Sequence, residues 1–281
     1  MVARYLDPKN DIVFKRIFGE HPRILRSFLN ALLPLTEEEQ IVSLEYLSAE
    51  QAPQLPLLKN SIVDVRCCDA RGRQFIVEMQ MNWTSAFLQP VLFNASKAYV
   101  RQLEKGEQYE LLQPVIGLSL LDDQFDHTSS EFYHHYRMVN VERPQRVIEG
   151  LQLVFVELPK FKTAPDMAPL KTAWIRFLRE LGDVETAEEA AVFELEVASQ
   201  ASEIREACDL SGEGAFTKGE LEAYDRYWDV IRSERTLMSG KYRDGHAEGH
   251  AQGRAEERAA ILKKLIARGM SASEAEQLVD G

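Results

Sequence analysis

The stretch SIVDVRCCDARGRQFIVEMQ, residues 61–80, restricts the fold more than any other part of the chain. Two β-rich runs, Ser61 to Cys68 and Arg73 to Met81, flank the polar turn DARG. A glycine just before the second run suits a three-residue hairpin loop in which Gly72 takes the left-handed conformation. Pairing Asp69 with Arg73 and counting back along both strands sets Asp64 opposite Glu78 and Ile62 opposite Gln80. Strand side chains alternate, so Asp64, Glu78 and Gln80 then share one face and Phe75, Val77, Met79 and Met81 the other. Like charges directly opposed on a sheet are destabilising, and a divalent cation between them turns the repulsion into attraction. An ordinary solvated sheet face carrying two acids is the competing reading, and the strands alone leave it open.

The rest of the chain sets the frame for this hairpin. Its 281 residues suffice for one sizeable core, or for a main domain with a helical appendage. No apolar run reaches the roughly 18 residues of a membrane-spanning helix, and MVARYLDPKND has no apolar stretch of signal-peptide length. Three cysteines, two of them adjacent (Cys67, Cys68), form neither a disulfide framework nor a zinc spacing. A reducing cytoplasm and no membrane are therefore expected. The formal net charge of −12 argues against a general nucleic-acid coat. The acidic excess is uneven, however: residues 171–281 carry 15 basic and 23 acidic side chains, residues 1–170 carry 18 and 22. The hairpin lies in the nearly balanced part, where a local basic rim remains open.

Helical spacing runs through NDIVFKRIFGEHPRILRSFLNALL, residues 10–33, and Pro22 divides it into two helices. IVSLEYLS (41–48) reads as a first strand, and the hairpin follows. TSAFLQPVLFNASKAYVRQLEKG (84–106) reads as a helix capped by Gly106, and PVIGLSLLD (114–122) as a buried strand. Two more strands are expected in EFYHHYRMVN and LQLVFVELPKF, and helices from Pro169 onward. Residues 1–122 thus run helix, strand, strand, strand, helix, strand, which a single mixed sheet with helices on its faces satisfies. The boundaries expected are a core over 1–165, an acidic helical region over 166–240 and a glycine-repeat tail over 241–281.

The tail sets Gly245, Gly249 and Gly253 four apart, with His246 and His250 also four apart. Its spacers are polar and glycine costs about 1 kcal/mol per helical position. The expectation is a marginal solvated helix or linker ahead of the short amphipathic helix RAAILKKLIARG. The two histidines could bind zinc as an i, i+4 pair, but no third ligand lies near them. There is no Walker-type glycine loop, no GxSxG elbow and no HExxH. His134 and His135 read as ordinary strand residues, and Cys208 has no histidine close to it in sequence.

With the element order, Asp64 on the second strand and Glu78-x-Gln80 on the third, the chain resembles the PD-(D/E)XK nuclease superfamily. Within it, the resemblance is to the recombination-promoting nuclease/putative transposase family. DIVFK (Asp11 to Lys15), VDV…VEMQ, the run from Ser96 to Asp122, and the tail with glycine every fourth residue carry the likeness. It covers the first 160 residues well and the tail moderately.

The resemblance implies a metal-dependent DNA endonuclease acting in recombination or mobile-element biology. Asp64 and Glu78 would be ligands of a divalent metal, Mg²⁺ first and Mn²⁺ or Ca²⁺ as alternatives, with Asp11 as an additional ligand and the Met79 carbonyl as another. An acid at a helix N-terminus, favoured by the helix dipole, is the competing view of Asp11. Gln80 stands where the superfamily usually has lysine and would orient the attacking water, although a neutral amide supplies no positive charge. Lys15, or Lys97 and Arg101 on the second helix, could supply it. DNA is the expected partner, and a homo-oligomer through the C-terminal helical region is open. Two other classes stay in play: an inactive or weak relative serving as an interaction module, and a carboxylate-pair hydrolase such as a glycosidase. The latter's sites usually lie in aromatic clefts, and few aromatic residues flank these acids.

Overall fold

The computed structural model describes residues 4–47, 65–82, 87–103 and 108–271, with residues 274 and 278, and for 242–255 the backbone alone. Asp64 and Gly106 lie outside the described residues. The chain divides into two compact units, residues 1–229 and 230–281.

In the first unit, α1 (Asp11–Phe14) begins at Asn10, whose side chain accepts a hydrogen bond from the Ile12 N–H. A π-helical turn, Lys15–Gly19, continues it, and α2 (Pro22–Leu32) starts afresh with its proline in the first turn, as the break at Pro22 requires. The strands are β1 (Leu44–Tyr46), β2 (Val65–Asp69) and β3 (Gln74–Gln80). Helix α3 (Leu88–Val100) leads to β4 (Val115–Leu121), and β5 (Tyr133–Val139) and β6 (Val147–Glu157) complete one sheet in the order β1-β2-β3-β4-β6-β5. The β3–β4 and β4–β6 pairs are parallel and the other three antiparallel. The core therefore follows the expected order of helix, three strands, helix and strand, and helices succeed it.

The hairpin register is the expected one: Val65 pairs with Val77 and Cys67 with Phe75. Gly72 has φ +79°, and a Cβ there would come within 3.0 Å of Gln113 Cγ. Asp69 organises the turn. Its Oδ1 accepts from the Arg71 and Arg73 N–H groups at 3.0 and 2.9 Å, and its Oδ2 accepts from Arg73 Nε at 2.8 Å.

After the sheet come α4 (Pro169–Glu180), α5 (Ala187–Glu196) and α6 (Ser202–Ser211). Phe14, Phe18, Phe28, Trp174 and Phe177 form one chain of ring contacts, with centroids 4.5–5.8 Å apart. All five are fully buried. This aromatic chain joins the N-terminal helices to α4. Trp174 also donates its Nε1–H to Ser27 Oγ at 3.2 Å.

The final helix, α7 (Lys218–Ala267), is one 50-residue element that begins in the first unit and continues into the second. Glycine every fourth residue does not interrupt it, where a linker was one of the expected forms. Alanine, glutamate and glutamine, strong helix formers, share the spaces between these glycines with His246 and His250.

Candidate active site

Alternation along β3 divides its side chains between two layers. Phe75, Val77 and Met79 are at most 1% exposed on one side. Ile76, Glu78 and Gln80 project to the other, where α3 packs: Ala95 and Ala98 lie against Ile76 and Val115. Glu78 is 4% exposed and Gln80 5%. The open, solvated sheet face allowed by the sequence is thus absent at these two residues, because a helix covers them. A buried carboxylate is costly unless it is hydrogen-bonded and paired.

Asn94 on α3 meets that need in part, donating from Nδ2 to Glu78 Oε1 at 3.0 Å. Its amide orientation follows from this contact, since only the NH₂ end can face a carboxylate. The other end, Asn94 Oδ1, is buried and finds no hydrogen-bond partner among the described residues. Glu78 is level with Ser119 of β4 in the parallel register, as Gln80 is with Leu121. Gly117, Ser119 and Ala95 line a shallow recess beside Glu78, with Ile76, Val91 and Leu118 around it. The Gln80 side chain donates from Nε2 to the Asn82 carbonyl at 3.1 Å.

Positive charge gathers on the β2 flank of the same layer. Arg66, 7% exposed, lies directly opposite Ile76 and so shares its face. Lys97 on α3 has its pKa lowered, first by desolvation and then by the Arg101 and Arg66 guanidinium groups. Lys97 and Arg101, four apart on α3, therefore converge with Arg66.

Asp11 and Lys15 belong to the layer across the sheet. The π-helical turn that starts at Lys15 packs through Gly19 against Val65, and Val65 pairs with Val77, not with the Glu78 face. Asp11 is solvent-exposed at the start of α1. Its pKa is raised by the protein packed around it, and the Lys15 ammonium four residues on opposes that shift. Of the residues singled out in the sequence, Glu78 and Gln80 thus share the α3 layer, and Asp11 and Lys15 stand on the other. Asp64 is not described, although the register of its neighbour Val65 is that on which the Asp64–Glu78 pairing was argued.

Sequence reasoning missed Asn94, Arg66 and Glu157. Asn94 shares the spacing of the buried Val91, Ala95 and Ala98, a polar residue on the packed stripe of a helix. Arg66 has the same strand parity as Asp64. Glu157, fully buried, is level with Gln80 across Leu121. Its Oε1 meets His134 Nε2 at 2.8 Å and accepts from Lys160 Nζ at 2.9 Å, while Oε2 accepts from the Phe125 N–H at 3.0 Å. This network ties β5 and the loop after β4 to the end of β6. It also gives His134 a structural task, in keeping with its reading as an ordinary strand residue.

Among the described residues no three histidine, cysteine or acidic side chains gather to hold a metal. The Glu78 carboxylate, to which Asn94 donates, is a hard oxygen donor of the kind Mg²⁺ takes.

A family model described as PD-(D/E)XK nuclease family transposase matches residues 8–236, from just before α1 into α7. No curated protein and no solved structure matches the chain. No helix among the described residues is long and apolar enough to cross a membrane.

Proposed function

Since the chain belongs to the PD-(D/E)XK nuclease family of transposases, we propose that it is a metal-dependent DNA endonuclease serving recombination or the movement of genetic elements in the cytoplasm. One observation carries the reading. Glu78 is held at 4% exposure on the α3 layer, with the Asn94 amide donating to its carboxylate. A carboxylate drawn out of bulk water and oriented by an amide has the chemistry of a divalent-metal ligand.

In this reading Asp64, just before β2 in the sequence, and Glu78 on β3 are the acidic ligands. Asn94 orients Glu78 through its NH₂ group. Mg²⁺, with Mn²⁺ or Ca²⁺ as alternatives, would lower the pKa of a bound water and stabilise charge on the phosphoryl oxygen. Gln80 orients the attacking water. As a neutral amide it contributes no charge, so Arg66 and Lys97 provide the positive potential that a lysine at position 80 would otherwise supply. Asp11 and Lys15 would have to reach the reaction round the end of the sheet, so their part is supporting.

Nicking of supercoiled plasmid with Mg²⁺, Mn²⁺, Ca²⁺ or EDTA tests the reading. Cleavage is expected with metal, absent with EDTA, and reduced to background by Glu78→Ala or Asp64→Ala. Undiminished nicking by both variants would sink the assignment. Absence of cleavage by the unaltered protein under every metal would favour an inactive relative that works as an interaction module.

A further inference from the structure

The outward flank of α3 carries an exposed aromatic ring that phosphodiester hydrolysis alone does not use. Phe93 is 51% exposed, an unusual place for an aromatic ring in the middle of a helix that packs on a sheet. Lys97, one turn on, sits with its ammonium 5.8 Å from the Phe93 ring centre. Arg101 follows after another turn, and Arg66 approaches from β2. Desolvation first, and then both guanidinium groups, push the Lys97 pKa down. In a chain of formal net charge −12, Lys97 and Arg101 one helical turn apart make a local positive surface that attracts an anion. Phe93 is next in sequence to Asn94, which touches Glu78.

We infer that the Phe93–Lys97–Arg101 strip binds unpaired nucleotides of DNA and feeds that strand to the Glu78 recess. The inference rests on the nuclease reading and names the form of substrate the site takes. The reasoning is one of complementary surfaces. Phosphates alone would account for the cations but leave the exposed ring unused. Every base has a flat π face, and that face is available to a side chain when the base is not stacked within a duplex. An aromatic platform flanked by cations along one groove is the arrangement by which proteins track a single strand without reading its sequence. The Lys97 ammonium over the ring also holds the platform open to a base from the other side.

Fluorescence anisotropy in EDTA, with labelled oligothymidylate and a blunt duplex as probes, reads the binding without cleavage. The unaltered protein is expected to bind the single strand more tightly than the duplex. Phe93→Ala should weaken single-strand binding by about tenfold, within the range for one base–aromatic stack. The loss on duplex should be smaller, and Phe93→Trp should restore the single-strand affinity. Lys97→Ala should lower the slope of log affinity against log salt by about 0.7, the value for one phosphate contact on a single strand. An equal loss on both probes, or no loss of single-strand binding in Phe93→Ala, overturns the inference.

Plasmid nicking by Glu78→Ala, measured separately, tests the nuclease reading. If nicking depends on Glu78 and the Phe93-dependent preference is missing, this inference alone falls. If nicking is absent and the preference persists, the nuclease assignment alone falls.

Discussion

Glu78 combines burial at 4% exposure with a neutral donor, Asn94, at 3.0 Å. Glu78→Gln keeps the shape of the side chain and removes its charge, so it separates metal ligation from packing. With Mg²⁺ at a hundred times its dissociation constant, the unaltered protein should gain about 2.7 kcal/mol, the linkage value for one site, and Glu78→Gln should gain nothing. An equal response of both proteins to metal would show that Glu78 is no ligand. The acid itself was legible in the sequence, because strand alternation and a turn of known length determine its face. Asn94 was not legible as its partner. That pairing depends on how α3 lies across the sheet, which no local pattern encodes.

Among the elements, α7 shows how a helix start is secured. Thr217 Oγ1 accepts from the Glu220 N–H at 3.3 Å, and Glu220 Oε2 accepts from the Thr217 N–H at 2.7 Å. The other carboxylate oxygen of Glu220 pairs with Arg16 at 2.8 Å. Thr36 with Glu39, Thr186 with Glu189 and Ser271 with Glu274 repeat the pattern. The spacing S/T-x-x-E is a local signal, and it marks each of these starts in the sequence itself. Glu220 has its pKa lowered, chiefly by the Thr217 hydrogen bonds and further by Arg16. A folded-state pKa below the unfolded value means stability present above the ordinary glutamate range and lost as pH falls through the folded value. The stability gap between unaltered protein and Glu220→Gln should accordingly be open at neutral pH and close in acid, as followed by thermal unfolding across pH. A gap that does not change with pH would remove the carboxylate from the account. Thr217→Ala should cost about 1 kcal/mol at neutral pH, the usual loss of an N-cap. The π-helical turn at Lys15–Gly19 had no comparable signal; its sequence has the same apolar spacing as a continuing α-helix.

At the scale of the molecule, Trp174 decides how many parts the first unit has. It lies in the region expected from sequence as a separate acidic helical segment, yet its ring contacts Phe18 and Phe28 of the N-terminal helices at 5.8 and 5.5 Å. Composition separated these stretches because the acidic side chains lie on outward faces; the apolar stripe of α4 was the better guide. Trp174→Ala should cost about 3–5 kcal/mol, as for a large buried aromatic. The loss should appear in one cooperative transition that includes the sheet. Hydrogen exchange at β4 amides, with circular dichroism for the helices, checks this. Early loss of helix with β4 protection intact would show that α4 melts independently.

The β2–β3 turn has a further consequence, for how such a chain can change over time. Between Asp69 and Arg73 the number of residues sets which side chains of β3 meet which layer. A shift by one residue would send Glu78 and Gln80 into the layer of Phe75, Val77 and Met79 and turn those three toward α3. Neither layer would accept the exchange, since one would gain a charge among apolar side chains and the other would lose its polar recess. The polar pair on β3 therefore acts as an error-detecting mark for the whole sheet. Single-residue insertions at the hairpin tip must be extruded into solvent as a longer loop. A longer tip is therefore compatible with this sheet only where the strand behind it stays in phase.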